Sequence, residues 1–431
     1  MKQIRFFTLF ISLMLSVACF AQSGAWNGKI SVQGIDLPLV FNFNSDGCTF
    51  DSPSQGVKGI PAEKTVAADG TIKVEVKMIG AIFEGKMTGD SIRGTFAQNG
   101  FNFPLTLVAG QVVALRPQTP KPPFSYDVEN VSFTNDGFTF NGTLSLPKGY
   151  TERTPVVLMV TGSGQQNRDE ELFEHKPFAV IADALARNGI ASLRYDDRGW
   201  NDKSVNFSDF ITSDFKSDAE VALKLLRTRF KKVGVLGHSE GGSIALLLAS
   251  EGKTDFIVSL AGMAISGKET LMMQNRQALS SLGLTSDMVN AYCDALDKIF
   301  DDLANGKSVS ELNTDNIPVL LRPMFEKSLQ AGDSKYIRAF IKVNPIQSLG
   351  KIKCPVLALN GTKDTQVDCA KNISALEKGL TKCPHVIKQM PDLNHLFQHC
   401  KTGNVVEYQQ IEETISPEVL DVMVEWIKSL K

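Results

Sequence analysis

The sequence predicts an α/β fold: a mostly parallel sheet covered by helices, carrying a helical cap insertion and preceded by a small antiparallel β domain. Two observations set that class. Between Val156 and Met390 short, predominantly apolar runs alternate with amphipathic helices, which is how strands buried on both faces of a sheet read. Between Trp26 and Val108 the apolar residues instead recur every second position and turn dipeptides break the runs, the pattern of strands with one face in water.

The chain has 431 residues, 43% hydrophobic and 21% charged, enough apolar material for more than one core and far from a disordered composition. Its 45 basic and 47 acidic side chains leave a net charge of −2. That balance gives no electrostatic ground for a nucleic-acid partner or a polybasic membrane contact.

Taken in order, the chain opens with Lys2 and Arg5 before an apolar run from Phe6 to Phe20 that ends in the small residues Ala18 and Ala21. This reads as a signal peptide over 1–21 and predicts an exported protein, periplasmic or secreted. Lipid anchoring through Cys19 is the lesser reading, because Ser16-Val17-Ala18 is a poor lipobox. No later run is apolar for long enough to span a bilayer. Residues 22–110 predict an antiparallel barrel or sandwich. There Ile72, Val74 and Val76 share one face, Lys73, Glu75 and Lys77 the other, and turns recur at Asp46-Gly47, Asp69-Gly70, Gly89-Asp90 and Asn99-Gly100. No catalytic motif lies in it; a passive module is favoured over glycan binding or dimerisation, and the oligomeric state is open. Residues 111–124, with Pro117, Pro120, Pro122 and Pro123, predict an extended linker.

From 125 to 431 the pattern is α/β. Val131–Thr134 and Phe138–Leu146, joined by Asp136-Gly137, predict a hairpin. Strands follow at Val156–Val160, Ile190–Leu193, Val233–Leu236, Phe256–Leu260, Val356–Leu359 and Val386–Met390. Helices are expected at Phe178–Asn188, closed by Gly189, and at Asp218–Phe230, with Val221, Ala222, Leu225 and Leu226 as its stripe. A last helix starts at Ser416-Pro417 and turns Val419, Met423, Trp426 and Leu430 inward. Between Ala261 and Ile352, roughly ninety residues stand where a crossover needs few more than one helix. Helical spacing at Leu271–Leu282, Met288–Leu303 and Tyr336–Val343 makes them a cap, about residues 265–345, with Met272, Met273 and Phe300 as candidate pocket lining, although core packing is the favoured role for any one of them. In an exported chain Cys354–Cys383 and Cys369–Cys400 are the sensible disulfides, free buried thiols the alternative.

The chemistry centres on Gly237-His238-Ser239-Glu240-Gly241-Gly242, a G-x-S-x-G that runs from a strand straight into a helix. Such a turn strains the serine, lifts its hydroxyl above the sheet, and aims the Glu240 amide at an incoming oxyanion. A serine hydroxyl needs a base. His175 lies upstream among charged residues, His238 cannot turn back on its neighbour, and His385 begins a strand at the end remote from the site. His395 and His399 both follow the last strand, at the edge where open α/β sheets place their sites. His395, in the loop proper, is favoured over His399, a turn further on. Asp364, in the loop after the preceding strand, is the carboxylate to orient it, while Asp368 reads as a helix cap. The order Ser239, Asp364, His395 is the order this arrangement requires. Thr161-Gly162-Ser163-Gly164 after the first central strand offers the second oxyanion donor, the Ser163 amide beside that of Glu240.

Gly237–Gly242, Thr161–Glu170, Arg194-Tyr195-Asp196-Asp197-Arg198-Gly199 and the Asp364 and His395 loops resemble the α/β-hydrolase superfamily. More narrowly they are similar to bacterial exported esterases and serine-aminopeptidase-like hydrolases that carry G-H-S-E-G-G. The resemblance covers roughly Val128 to Lys431. It implies a serine hydrolase with no cofactor and no metal, acting on a small acyl ester through Ser239, Asp364 and His395. Peptide and thioester cleavage remain open on the same scaffold, a non-catalytic glycan-binding protein less so. Asp197-Arg198-Gly199 matches a structural turn of the family, with Arg198 ion-paired. Where many relatives have histidine-glycine at the oxyanion loop, this chain has Thr161-Gly162. Neither H-E-x-x-H nor a zinc-type cysteine spacing occurs.

Overall fold

The computed structural model describes residues 23–32, 35–44, 47–55, 57–110 and 116–430; the signal-peptide reading and Cys19 fall outside them. The chain divides into two compact units. In the first, Gly24–Val32, Ile35–Asn44, Gly47–Ser52, Val57–Val66, Ile72–Val76, Ala81–Thr88, Ser91–Gln98 and Phe101–Ala109 (β1–β8) form an antiparallel barrel, closed by β1 pairing with β8. Alternation puts Ile72, Val74 and Val76 inside with Phe41, Phe50, Phe83 and Phe96. The Phe41 ring lies 5.3 Å from Phe50 and 5.4 Å from Phe83, so side chains fill the interior. Closure leaves no open sheet edge.

The second unit holds an eight-stranded sheet of Asp127–Asn135, Phe138–Leu146, Val156–Val160, Ala191–Tyr195, Val233–His238, Phe256–Leu260, Val356–Gly361 and His385–Met390 (β9–β16), in the order β16-β15-β14-β13-β11-β12-β10-β9. β9 and β10 form the expected hairpin, with Asp136 and Gly137 both at positive φ (47° and 81°), the turn geometry that matches strand twist. From β12 to β16 neighbouring strands are parallel. Val160 stands opposite Gly237, His238 opposite Leu260, and Gly361 opposite Met390. The loops after β11, β13, β15 and β16 therefore open on one edge.

Strand alternation sorts the two core faces. Val157, Met159, Leu236 and Phe256 pack against the helices Pro177–Arg187 and Pro417–Ser429. Val156, Leu158, Val235 and Ala358 pack against Thr212–Arg227, Glu240–Ser250 and Cys369–Gly379. The Thr212 helix begins earlier than its apolar stripe indicates. Its first turn is polar and is closed by Asp214, whose carboxylate accepts the Ile211 N–H at 2.9 Å. Its buried face is Ala219, Ala222, Leu223 and Leu226, with Val221 and Leu225 on the flank. In the last helix Val424 and Ile427 take inner positions, while Trp426 and Leu430 are only partly covered.

The insertion forms helices at Gly267–Ser281, Ser286–Ala304, Arg322–Gly332 and Lys335–Phe340, around a core of its own that includes Leu296, Ile299, Phe300 and Phe325. The Arg322 helix was not expected; it gives Phe325 to the buried core, with Leu329 partly buried against it. Cys354, Cys383 and Cys369 are thiols outside any disulfide, so of the two readings the thiols hold and the pairs Cys354–Cys383 and Cys369–Cys400 do not. Cys369 and Cys400 donate instead to the carbonyls of Asn360 and Asp392, at 3.6 and 3.5 Å. The described part of the proline-rich stretch is tied to the second unit: Arg116 donates to the carbonyls of Phe173 and Ile411 (2.9 and 3.1 Å) and Gln118 to that of Ile415 (2.7 Å). Among the described residues no helix is long and apolar enough to cross a membrane.

Candidate active site

β13 runs into Ser239, which sits at φ 56° and ψ −118°, and Glu240 begins the next helix. A non-glycine residue held there stores about 1–3 kcal/mol of strain. Its surroundings hold it in place. The Ser239 N–H donates to the Leu260 carbonyl at 2.9 Å. A Cβ on Gly237 would lie 1.9 Å from the Gly241 carbonyl oxygen, and one on Gly241 would lie 2.1 Å from that of Val160. Only glycines let strand, turn and helix approach this closely. The Ser239 side chain, half-buried, faces a cavity of about 480 Å³.

His395 lines the same cavity. Its Nδ1 lies 2.8 Å from Asp364 Oδ2, and both residues are buried. The carboxylate is fixed on every side. Oδ1 accepts the N–H groups of Gln366 and Val367, each at 2.8 Å, and Oδ2 also accepts Asn360 Nδ2 at 3.1 Å. Such a carboxylate holds the ring proton on Nδ1 and leaves Nε2 to accept. Asn394 stiffens the histidine loop, its Oδ1 accepting the N–H groups of Leu396 (3.0 Å) and Gln398 (2.9 Å). Asp368 caps the following helix through the Lys371 N–H at 2.8 Å.

The glycine loop after β11 lies against the nucleophile turn: a Cβ on Gly162 would stand 3.1 Å from the Ser239 Cβ. The Gly162 amide is taken by Glu170 Oε1 at 2.7 Å, so it is not available to an oxyanion. Ser163 follows it on the cavity wall. The Glu240 amide is the first of the helix, where N–H groups have no intrahelical acceptor. Asp197 fixes this loop, accepting the Thr161 hydroxyl at 2.9 Å and the Gln166 N–H at 2.8 Å. Arg198 donates to both oxygens of buried Asp218, at 2.8 and 2.7 Å, the ion pair that the Asp197-Arg198-Gly199 turn implied.

Two side chains flanking Ser239 make contacts that were not anticipated. The buried Glu240 carboxylate accepts the Thr212 hydroxyl at 2.7 Å and the hydroxyl of Tyr336, from the short cap helix Lys335–Phe340. Burial pushes the Glu240 carboxyl up, against hydrogen bonds from Tyr336, Thr212 and Ser163 that pull it down. His238, buried beside His395, has Nδ1 3.0 Å from Glu170 Oε1 and Nε2 2.9 Å from the His395 carbonyl oxygen. A glutamate and a histidine next to a nucleophilic serine are the only sequence trace of either contact. The other histidines are spent elsewhere. His399 is exposed beside Glu413 at 2.9 Å, and His175 is fully buried against Thr414 (3.0 Å) and Gln398 (3.1 Å) rather than in a charged loop.

The apolar cavity wall includes Leu172, Met263, Leu271, Ile337, Phe340 and Leu396; Met272, Met273 and Phe300 take the core-packing role favoured for each of them. Phe300 and Met272 are absorbed by the cap's own core, and Met273 packs on the core beside the sheet. Among the described residues no group of three or more His, Cys, Asp or Glu side chains is arranged to hold a metal ion.

A family model described as alpha/beta hydrolase fold matches residues 155–399. Among characterised proteins, the chain is 28% identical over 307 residues to Esterase EstD of Thermotoga maritima, covering 70% of this chain and 69% of that protein. Similar solved structures include Est1E from Butyrivibrio proteoclasticus, at 15% identity, TM-score 0.42, 69% of this chain and 97% of that one. Another is dienelactone hydrolase from Anabaena variabilis, at 18% identity, TM-score 0.40, 70% of this chain and 98% of that one.

Proposed function

The chain belongs to the α/β hydrolase fold family, whose model matches residues 155–399, and from that premise we propose that it is an exported serine hydrolase cleaving carboxylic esters through an acyl-enzyme. One observation carries the reading: the His395–Asp364 hydrogen bond of 2.8 Å opens on the same cavity as the strained Ser239. Similarity to Esterase EstD favours esters, and the apolar residues lining the cavity suit an acyl group. The basic start and apolar run of residues 1–21 support export.

In this reading Ser239 Oγ attacks the acyl carbon as His395 Nε2 takes its proton. Asp364 stabilises the imidazolium that forms, and the amides of Ser163 and Glu240 hold the oxyanion. The tetrahedral adduct collapses as His395 returns the proton to the leaving alkoxide. Water then attacks the acyl-enzyme by the same relay, releasing the carboxylic acid and restoring Ser239.

The test is Ser239→Ala, assayed on small aryl esters and by thermal unfolding. Hydrolysis is expected to vanish with the melting temperature unchanged, and a fluorophosphonate probe is expected to label the wild type alone. Wild-type turnover by Ser239→Ala overturns the proposal.

A further inference from the structure

The acyl-transfer steps make no use of His238, yet its ring joins three segments of the site. It belongs to the nucleophile turn. Its Nε2 meets the backbone carbonyl of His395 at 2.9 Å, in the loop after β16. Its Nδ1 meets Glu170 Oε1 at 3.0 Å, in the loop after β11, and the same oxygen accepts the Gly162 N–H at 2.7 Å. The His238 and His395 ring centroids are 4.6 Å apart. A backbone carbonyl only accepts, so Nε2 carries a proton. A second proton must lie between Nδ1 and Glu170 Oε1. Without it, two lone pairs would face each other across a buried contact, which is costly.

We propose that Glu170 and His238 form a proton-dependent clamp that positions His395 and the Gly162–Ser163 loop relative to Ser239. Both are positioning residues: they act through the His395 backbone and the Gly162 amide. The inference rests on the Ser239–His395–Asp364 reading given above.

The groups facing the His238 ring decide which way the clamp titrates. Burial disfavours the charged ring. The Glu170 charge and hydrogen bond, the His395 carbonyl and the Asp364 charge outweigh it, so the ring holds its proton above the usual 6.5. The clamp is therefore more complete below the usual 6.5 and opens as pH rises through that elevated value. Activity therefore gains a high-pH limb from His238.

The experiment is the pH profile of kcat and KM on a small aryl ester for wild type, Glu170→Gln, Glu170→Asp and His238→Gln, with Ser239→Ala as blank. Glu170→Gln removes the counter-charge, so its alkaline limb is expected to move down by about one pH unit or more. Displacing the reacting groups is expected to lower its kcat by an amount on the order of 10²-fold, while KM changes little because the apolar wall is untouched. Glu170→Asp keeps the charge and holds the limb near its wild-type position. His238→Gln still donates to the His395 carbonyl without a titrating group, so the alkaline limb disappears. If that variant does not fold, the two Glu170 variants decide alone. A Glu170→Gln profile with an unmoved alkaline limb, whether kcat is unchanged or uniformly reduced, overturns the clamp while a dead Ser239→Ala leaves the hydrolase reading intact. Turnover by Ser239→Ala overturns both.

Discussion

Replacing Asp364 with asparagine alters the proposed triad without altering its shape. The Oδ1 position faces two backbone donors, the N–H groups of Gln366 and Val367 at 2.8 Å each, so the carboxamide oxygen settles there. Its NH2 group is then forced into the Oδ2 position, 2.8 Å from His395 Nδ1 and 3.1 Å from Asn360 Nδ2. A donor facing Nδ1 makes that nitrogen an acceptor, and the ring proton moves to Nε2. That is the atom that must receive the Ser239 proton. The same tautomer error in a Ser-His-Asp protease costs about 10⁴-fold in kcat, equivalent to about 5 kcal/mol of barrier. Because the cavity wall does not change, KM is expected to stay within a few-fold. The Asn360 carboxamide now points a donor at a donor, which costs about 1–3 kcal/mol of stability, softened by its second bond to the Val367 carbonyl at 3.2 Å. Steady-state hydrolysis of a short-chain nitrophenyl ester, with thermal unfolding alongside, measures both effects. An Asp364→Asn enzyme with kcat within tenfold of wild type would refute the tautomer reasoning.

Gly241→Ala would place a Cβ 2.1 Å from the Val160 carbonyl oxygen and 2.5 Å from that of Thr161. Both are backbone atoms that cannot swing away, so a loss of more than about 3 kcal/mol is expected; a wild-type melting curve would contradict the packing at the turn. Arg198→Met strands Asp218, 2% exposed, without its guanidinium, and should cost about 3–5 kcal/mol in urea unfolding. Adding Asp218→Asn should recover most of that, and a double variant as weak as the single one would show the pair is not the cause. Glu240 is a buried carboxyl raised above its usual 4.5. The folded state thus holds its proton more tightly than the unfolded one, and stability falls as pH climbs from 4.5 through the raised value. Glu240→Gln should flatten that decline in urea midpoints between weakly acid and neutral pH; an unchanged slope would assign the decline to another group.

Much of the second unit is legible because its central strands are buried on both faces. Val156–Val160 and Phe256–Leu260 have the bounds that their apolar runs indicate. Such a run carries its own signal, whatever packs on it. The Thr212 helix is legible only from its second half, because its first turn is held by the Asp214 side chain rather than by an apolar stripe. The cap shows the opposite limit. Met272, Met273 and Phe300 have the spacing of a lining face, but that spacing describes any buried stripe. Whether a stripe meets a cavity or another helix depends on how four helices pack, and here the cap's core takes Phe300.

The same distinction separates the proposed catalytic residues from their supports. Ser239, Asp364 and His395 each follow a parallel strand at one edge of the sheet, so chain order alone lines them up. The Glu170–His238 and Tyr336–Glu240 bonds join residues 68 and 96 positions apart, with no strand to register them. His238 cannot turn its ring onto the adjacent Ser239, and on sequence grounds that leaves it without a task. A ring that faces away from the nucleophile must still satisfy two buried nitrogens, and the acceptors within reach belong to the loops on either side. The strained turn that exposes the serine thus also delivers an imidazole to the His395 backbone. One short motif then sets both the attacking oxygen and the position of its base, through a contact visible only once the loops are closed.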